Sequence, residues 1–268
     1  MFKDLFSLQG RVALVTGGSR GIGKMIAAGF LAQGAARVYI TARKAGPCEQ
    51  TAQELTAQYD GECIALPIDI SALSGIELLT AELGKREQQL DILVNNAGAA
   101  WGAPFDEFPE SGWDKVMDLN VKTPFFLTKA LHGLLQKSAS DERPAKVINI
   151  ASIDGLFVNP LETYPYAASK AGLIHLTRRM AARLIKDNIV VTAIAPGPFA
   201  SDMNKAARDH ADLVATRVPA GRIGADADMA GAAVYLASRA GDYVVGITLP
   251  VDGGVAYAAP GIQGDGWD

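Results

Sequence analysis

The sequence predicts an α/β protein in which helices cover both faces of a parallel sheet. Short apolar runs alternate along the chain with longer amphipathic segments, as in strand–helix–strand units. Most of these runs are apolar almost throughout and rich in Val and Ile, which is typical of strands buried on both faces. A glycine-rich stretch, TGGSRGIG (16–23), separates the first run from the first amphipathic segment.

The individual elements follow from this alternation. The predicted strands are 11–16, 37–42, 63–68, 91–96, 146–151, 189–195 and 247–251. The predicted helices are 21–33, 49–59, 73–88, 111–136, 165–187 and 226–239. No linker, repeat or low-complexity tract divides the chain, so we expect a single domain over 1–268. Residues 255–268 have no periodicity and are predicted to form a flexible end or an arm on a neighbouring subunit.

Composition excludes several functional classes. A net charge of -4 and a pI near 5.5 argue against a nucleic-acid partner. Cys48 and Cys63 form no CxxC pair, and the histidines are scattered, so neither a metal site nor a disulfide framework is predicted. Charges interrupt the apolar residues of MFKDLFSLQGR (1–11), and no apolar run is long enough to span a bilayer. We therefore expect a cytoplasmic protein with no membrane contact.

The glycine-rich stretch is a candidate phosphate-binding loop. Gly17, Gly21 and Gly23 are spaced G-x-x-x-G-x-G and run from a strand into a helix. Glycines allow the backbone to approach a pyrophosphate, which then lies at a helix N-terminus. A glycine-rich turn without a ligand is the alternative.

Polar residues follow other predicted strands, where open α/β sheets bind ligands. NNAG (95–98) ends the fourth strand, and its Ala97 and Gly98 leave room for a cofactor. Ser152 follows the fifth strand, although such a serine is often a turn or cap residue. Asn120 lies inside a predicted helix, where it could merely bend the helix.

Two tyrosines occur in TYPYAASKAG (163–172). Pro165 suits the first turn of a helix and biases Tyr164 towards an extended backbone, so we expect Tyr164 to lie outside the helix. Tyr166 and Lys170 are four residues apart and share one helical face. A nearby ammonium would lower the phenol pKa from its usual value of about 10 and speed proton exchange. Tyr166 is the predicted catalytic tyrosine, and an exposed pair without function is the alternative.

In combination, these motifs resemble the short-chain dehydrogenase/reductase family. TGGSRGIG, NNAG, Asn120, Ser152, YAASK (166–170) and APG (195–197) occur in the family's order and approximate spacing, from about Arg11 to Gly254. The resemblance implies a Rossmann fold with strand order 3-2-1-4-5-6-7. It also implies a homotetramer, or a dimer, assembled through the two long helices near 111–136 and 165–187.

The resemblance also implies site roles. Tyr166 would protonate the carbonyl oxygen, Ser152 would hydrogen-bond it, Lys170 would lower the tyrosine pKa and bind the nicotinamide ribose, and Asn120 would support a proton-supplying water chain. The cofactor contacts would include Tyr166 and Lys170 themselves. The other implied cofactor positions are Gly17, Ser19, Arg20, Gly21, Ile22, Gly23, Arg43, Asp69, Ile70, Asn96, Ala97, Gly98, Pro196, Gly197, Phe199 and Ser201. The family often has Thr where this chain has Ser201, so we expect altered packing there with the hydroxyl retained.

The cofactor preference depends on the end of the second strand. NAD-using relatives usually place a carboxylate there to accept the ribose hydroxyls. This chain has Ala42, followed by Arg43, and Arg20 in the glycine loop could converge on the same adenosine end. Two guanidiniums without a carboxylate predict a 2′-phosphate, hence NADP(H). Two solvated arginines are the alternative.

The sequence is similar to bacterial 3-oxoacyl thioester reductases, particularly the rhamnolipid-associated type. This predicts NADPH-dependent reduction of a ketone to a secondary alcohol, with a 3-oxoacyl thioester or related apolar carbonyl substrate. Candidate pocket residues are Trp101, Ile153, Phe157, Phe199 and Met203, under a mobile lid near 198–222.

An acyl carrier protein would need basic residues on two long helices. Arg143 fits one such position, but Asp187 holds the other, so a carrier partner is doubtful. A sugar or polyol dehydrogenase of the same family is an alternative function. A non-catalytic dinucleotide sensor belongs to a different class, but it would have lost the proton-transfer residues that are present here.

Overall fold

The computed structural model describes residues 2–258 of the chain. Seven parallel strands form one sheet in the order β3-β2-β1-β4-β5-β6-β7. The strands are β1 (Val12–Thr16), β2 (Arg37–Thr41), β3 (Glu62–Leu66), β4 (Ile92–Asn95), β5 (Ala145–Ile150), β6 (Ile189–Pro196) and β7 (Thr248–Val251). The predicted fold class and the strand order implied by the family resemblance are both confirmed.

Helices cover both faces of this sheet. They are α1 (Gly21–Ala32), α2 (Ala45–Gln58), α3 (Leu73–Gly84), α4 (Glu110–Met117), α5 (Thr123–Ser138), α6 (Tyr164–Leu184), α7 (Lys205–Asp209), α8 (Ala211–Ala215) and α9 (Asp226–Ala237). The two short helices α7 and α8 were not predicted, because their segment lacks a clear apolar period. The predicted tail falls mostly on residues 259–268, which lie outside the described residues.

Two helix predictions need correction. The helix expected over 111–136 is interrupted by a π-helical turn, Asp118–Lys122, between α4 and α5. Helix α6 begins at Tyr164, so the expectation that Tyr164 lies outside it is wrong. The missing N–H of Pro165 is tolerated there because the first N–H groups of a helix have no partner within the helix.

Strand alternation divides the core into two layers. Ala13 and Val15 of β1 point into one layer, which α1 and α9 also line with Phe30 and Met229. Leu14 and Val12, two residues before it, point into the other layer, which is lined by α3, α5 and α6. Because both faces are apolar, packing restrains the central strands and holds their carboxyl ends at a fixed edge of the sheet.

A buried ion pair joins the amino ends of two central strands. Arg11 Nη1 donates to Asp91 Oδ1 at 3.0 Å, and both side chains are almost fully buried. The second carboxylate oxygen of Asp91 accepts the Val12 N–H at 2.8 Å. The pair therefore aligns β1 with β4, the two strands whose opposite ends carry the glycine loop and NNAG.

Neither a membrane span nor a metal cluster occurs in the described part of the chain. Within residues 2–258, no helix is long and apolar enough to cross a bilayer. His, Cys, Asp and Glu side chains in the same range form no group that could hold a metal ion. Cys48 and Cys63 are both buried free thiols, and burial raises the pKa of each.

Asp91→Ala should lower the free energy of unfolding by about 3–5 kcal/mol, because it leaves the buried Arg11 guanidinium without its partner. Urea unfolding followed by circular dichroism measures the change. Asp118→Ala is the matched control, since its pair with Lys122 is exposed and should contribute little. An equal loss in both variants would contradict the assigned importance of the buried pair.

Candidate active site

The predicted site residues gather at the carboxyl edge of the sheet. The glycine loop follows β1, NNAG follows β4, Ser152 follows β5, and Pro196 ends β6. These four strands are neighbours in the sheet. The chain order reverses between β1 and β4, and such a switch point opens a crevice in which α/β proteins bind ligands.

The glycine loop keeps its backbone open where a side chain would close it. Gly17 and Gly21 have positive φ values of 65° and 51°, which L-residues rarely adopt. A Cβ at Gly23 would lie 2.6 Å from Asn96 Nδ2 and would also collide with the Gly17 carbonyl. Helix α1 begins within this loop at Gly21, so its first N–H groups are available to an anionic group.

Thr16 and Asn96 lock the loop against the end of β4. Asn96 Nδ2 donates to the Thr16 carbonyl at 2.7 Å and to the Gly17 carbonyl at 3.2 Å. Thr16 Oγ1 accepts the N–H groups of Asn96 and Ala97, each at 2.9 Å. The side chain of Asn96 therefore holds the loop. Thr16 is the first residue of the glycine-rich stretch, but the sequence analysis assigned it no role in the site.

Asn120 lies in the π-helical turn and anchors it to two other parts of the site. Its Oδ1 accepts the Ala99 N–H at 2.8 Å, and its Nδ2 donates to the Ala99 carbonyl and to Ser169 Oγ. A Cβ at Gly98 would lie 3.1 Å from Asn120 Oδ1 and 3.7 Å from Lys170 Nζ. The NNAG segment thus meets helix α6 here. Single-turn π insertions are frequent at functional sites.

Ser152, Tyr166 and Lys170 form a connected group. Ser152 Oγ accepts the Asp154 N–H at 3.1 Å, which leaves its own hydrogen free for another acceptor. Ser152 also lies close enough to the Tyr166 phenol to lower its pKa. Lys170 Nζ donates to the Ile150 carbonyl at 2.8 Å and lies 5.5 Å from the centroid of the Tyr166 ring. Helix α6 presents the tyrosine and the lysine on one face, as their spacing predicted.

We expected Lys170 to lower the pKa of Tyr166, and this role stays a prediction. Burial raises the Tyr166 pKa to about 12, against a lowering by the hydrogen bond from Ser152 and a further rise from Asp154. Burial also lowers the pKa of Lys170 to about 8. At neutral pH the phenol keeps its proton, as a general acid must.

Tyr164 belongs to an aromatic group on the surface. Its ring packs edge-to-face against Phe105 and Phe108, with centroid separations of 5.5 and 5.8 Å. Its hydroxyl donates to Glu162 Oε1 at 3.1 Å. These contacts give Tyr164 a structural explanation that does not involve Ser152 or Lys170.

Ala42, Arg43 and the glycine loop lie at the end of β2, where we expect the adenosine part of the cofactor to bind. Ala42 comes directly after β2, and Arg43 is exposed beside it. The Gly18 N–H donates to the Thr41 carbonyl at 3.2 Å, which holds the glycine loop against the end of β2. Arg20, however, pairs with Asp202 of the segment after β6, and Asp202 also binds Arg208 at 2.7 Å. Of the two guanidiniums, Arg20 is therefore engaged by a carboxylate of this chain.

The remaining predicted cofactor positions lie at the same edge. Asp69 is exposed, and its Oδ1 accepts the Ser71 N–H at 3.0 Å. The buried Ile70 accepts Thr123 Oγ1 through its carbonyl. The Gly197 N–H donates to the Val251 carbonyl at 2.9 Å, which joins the end of β6 to β7. Ser201 Oγ accepts the Asn204 N–H at 3.0 Å.

The expected pocket residues separate into core and rim. Phe199 is only 2% exposed, joins the core layer of α1 and α9, and has its ring against Gly224. It also borders a cavity that Arg222 and Val251 line. Its part in a substrate pocket stays a prediction. Phe199 comes three residues after the end of β6, and its ring packs against Gly224. Ile153 is also buried, Trp101 and Phe157 are half-buried, and Met203 is exposed.

Comparison with known proteins decides the family. The model of the family described as enoyl-(acyl carrier protein) reductase, a short-chain dehydrogenase group, matches residues 17–256. The chain belongs to the short-chain dehydrogenase/reductase family. It is therefore related to oxidoreductases along nearly its whole length.

Individual relatives fall into two groups. The rhamnolipids biosynthesis 3-oxoacyl-[acyl-carrier-protein] reductase of Pseudomonas aeruginosa is 48% identical over 252 residues, covering 93% of this chain and 97% of that protein. The 2-dehydro-3-deoxy-D-gluconate 5-dehydrogenase of Dickeya dadantii is 38% identical, covering 95% of this chain and 98% of that protein.

Solved structures show the same division. The Pseudomonas aeruginosa RhlG/NADP active-site complex superposes with a TM-score of 0.90 at 46% identity, covering 94% of this chain and 99% of that chain. A gluconate 5-dehydrogenase from Burkholderia cenocepacia in complex with NADP and tartrate superposes with a TM-score of 0.85 at 34% identity, covering 94% and 97%.

Tyr166→Phe should reduce turnover by about 10²–10⁴-fold, because it removes the proton donor and keeps the ring. Tyr164→Phe, the matched control, should change turnover far less. Steady-state ketone reduction is measured for both variants, with cofactor binding checked by fluorescence titration. Similar losses of turnover in the two variants, with cofactor binding intact, would refute the choice of tyrosine.

Proposed function

We propose that this short-chain reductase uses NADPH to reduce a 3-oxoacyl thioester, or a related apolar ketone, to a secondary alcohol. The observation that carries the proposal is the Ser152–Tyr166–Lys170 group, which lies beside a glycine loop shaped for a pyrophosphate. A dinucleotide sensor without catalysis would not need this connected group.

The described residues fit the cofactor. The glycine loop leaves its backbone clear of side chains, and a residue with a Cβ at Gly23 would close it. Gly98 lies near Lys170 Nζ, so small residues also border the lysine that we expect to bind the nicotinamide ribose. Ala42 leaves no carboxylate at the end of β2, and Arg43 can meet a 2′-phosphate.

NADPH supplies a hydride to the carbonyl carbon when it is bound. Ser152 directs its free hydroxyl hydrogen to the carbonyl oxygen and stabilises the developing negative charge. Tyr166 transfers its phenolic proton to that oxygen, so the product is a neutral secondary alcohol. Lys170 and the turn around Asn120 restore the proton to the phenolate. The segment 198–222, with α7 and α8, would close over the reacting groups as a lid.

Apolar side chains at the rim favour an acyl chain over a sugar acid. Val158 and Leu161, on the loop after the Ser152 turn, are 94% and 67% exposed. Met203 on the lid segment is 51% exposed. Contiguous apolar surface is typical of a site that binds an apolar ligand, so we expect these three side chains to meet the acyl chain. The two gluconate-type relatives support the alternative, a sugar or polyol dehydrogenase.

A carrier protein is a doubtful partner. Arg143 is exposed on the turn that precedes β5, so it lies at the amino ends of the strands, opposite Ser152. Asp187 is engaged by Arg183 at 2.6 Å and by His132 at 3.0 Å, which leaves no basic group at the second expected position. We therefore favour a small thioester, such as a coenzyme A ester, over a carrier-bound one.

We also propose a homotetramer, or a dimer, in the cytoplasm. Exposed apolar residues on the long helices support an assembly: Trp113 on α4 is 43% exposed and Phe125 on α5 is 41% exposed. Phe125 also borders a cavity of about 410 Å³ with Met117 and Val121.

A substrate panel tests the proposed reaction. NADPH oxidation is followed with 3-oxoacyl coenzyme A esters, carrier-linked 3-oxoacyl groups, 3-oxo esters, simple ketones and 5-ketogluconate. We expect the highest kcat/KM for a small apolar 3-oxo thioester or ester. A higher kcat/KM for 5-ketogluconate would replace the proposal with the sugar-acid alternative.

Cofactor preference is tested at the end of β2. Arg43→Ala should raise KM for NADPH by about ten- to a hundredfold and that for NADH little, because one charge-assisted hydrogen bond to the 2′-phosphate is lost. Ala42→Asp should shift the preference further, since the new carboxylate repels the phosphate and accepts ribose hydroxyls. The proposal fails if the wild type prefers NADH or if Arg43→Ala weakens both cofactors equally.

A further inference from the structure

Asp154 is an ionisable residue beside the catalytic group that the reaction described above does not use. It lies two residues after Ser152 in the 3₁₀ turn Ile153–Gly155 and is half-buried. Its backbone N–H donates to Ser152 Oγ at 3.1 Å. The residue is therefore attached directly to the serine that would hold the substrate's carbonyl oxygen.

The turn that carries Asp154 cannot move freely. A Cβ at Gly155 would lie 2.7 Å from both the Ala171 nitrogen and the Lys170 carbonyl carbon. The turn thus packs against α6 at the position of the catalytic lysine. Asn159 lies close enough to the Asp154 carboxylate to lower its pKa. Packing at Gly155 and the backbone hydrogen bond to Ser152 therefore keep Asp154 next to the serine.

The charge of Asp154 reaches both proton-handling residues. It raises the pKa of Tyr166 and that of Lys170, in each case as a smaller effect than burial. Burial raises the pKa of Asp154 itself, against smaller lowering effects from Asn159 and Lys170. A carbonyl bound between Ser152 and Tyr166 would experience the same negative charge.

A substrate with a carboxylate near its carbonyl would bring a second negative charge to this place. Two like charges about 5 Å apart at a partly solvated site repel enough to weaken binding by about ten- to a hundredfold. A neutral ester or thioester avoids this repulsion. The phosphates of a coenzyme A ester also avoid it, because they are many bonds away from the 3-oxo group.

We propose that Asp154 is a specificity-determining residue that rejects ketones bearing a carboxylate close to the reacting carbonyl. This inference rests on the proposed reduction of neutral 3-oxo compounds and explains how one site could distinguish them from keto-sugar acids. In this proposal the negative charge of Asp154 selects neutral substrates, and the exposed apolar side chains favour an acyl chain.

Two matched substrate pairs test the charge. The pairs are ethyl acetoacetate with acetoacetate, and ethyl levulinate with levulinate, measured with NADPH as kcat/KM. Asp154→Asn keeps the size of the side chain and removes its charge. We expect the ester-to-acid ratio to fall about tenfold or more in both pairs, through a rise in kcat/KM for the acids. Glu162→Gln is the control, since it neutralises an exposed carboxylate on the same loop and should leave the ratio unchanged.

A second measurement needs no variant. Salt screens like-charge repulsion, so raising the ionic strength from about 0.05 to 0.5 M should lower the wild-type ester-to-acid ratio. An unchanged ratio in Asp154→Asn would overturn the inference. So would equal changes for ester and acid, which would mean that Asp154 only positions Ser152 or Lys170. If Asp154→Asn does not fold, a wild-type ratio that is insensitive to salt would overturn it.

The levulinate pair separates this inference from the proposed function. If wild type reduces ethyl levulinate but no 3-oxo thioester or ester, the proposed substrate class is wrong. The effect of Asp154→Asn on the levulinate pair then still decides the role of the charge.

Discussion

The hydrogen bonds between Thr16 and Asn96 join the two halves of the cofactor crevice. Thr16 Oγ1 accepts two backbone N–H groups from the segment after β4, and the Asn96 amide returns two hydrogen bonds to carbonyls at the start of the glycine loop. Thr16 is almost fully buried, so these bonds form where water cannot replace them. The loop conformation, the opening at Gly98 and the approach to Lys170 all depend on this junction.

Burial acts in opposite directions on two members of the proposed catalytic group. A phenol becomes harder to ionise when water is removed, whereas an ammonium loses its proton more easily. Tyr166 and Lys170 show these two effects, and their pKa values move apart. At neutral pH the phenol keeps its proton, and burial favours the neutral form of the lysine beside it. Such a pair is suited to donating a proton from the tyrosine and recovering it through the lysine.

Two carboxylates border the crevice without belonging to the expected motif. Asp202 holds Arg20 from the segment after β6, and Asp154 lies behind Ser152. Asp202 thus lies next to an arginine of the glycine loop, and Asp154 lies next to the serine that we expect to bind the carbonyl oxygen. Negative charge at these two places would disfavour anionic ligand groups nearby. Neither carboxylate lies in a motif that the sequence analysis singled out for charge.

The sequence by itself determined the sheet and most of the helices that cover it, and it supplied the proposed catalytic positions. Apolar runs predict strands that are buried on both faces. The spacing of Tyr166 and Lys170 predicts that they share a helical face, so both features follow from local periodicity. Only the tertiary structure decided the features that depend on contacts between distant segments. Arg20 and Asp202 are 182 residues apart in the chain, and Thr16 meets Asn96 across 80 residues. The burial of Phe199 and the π-helical turn at Asn120 likewise depend on what packs against them, and no local pattern records those neighbours.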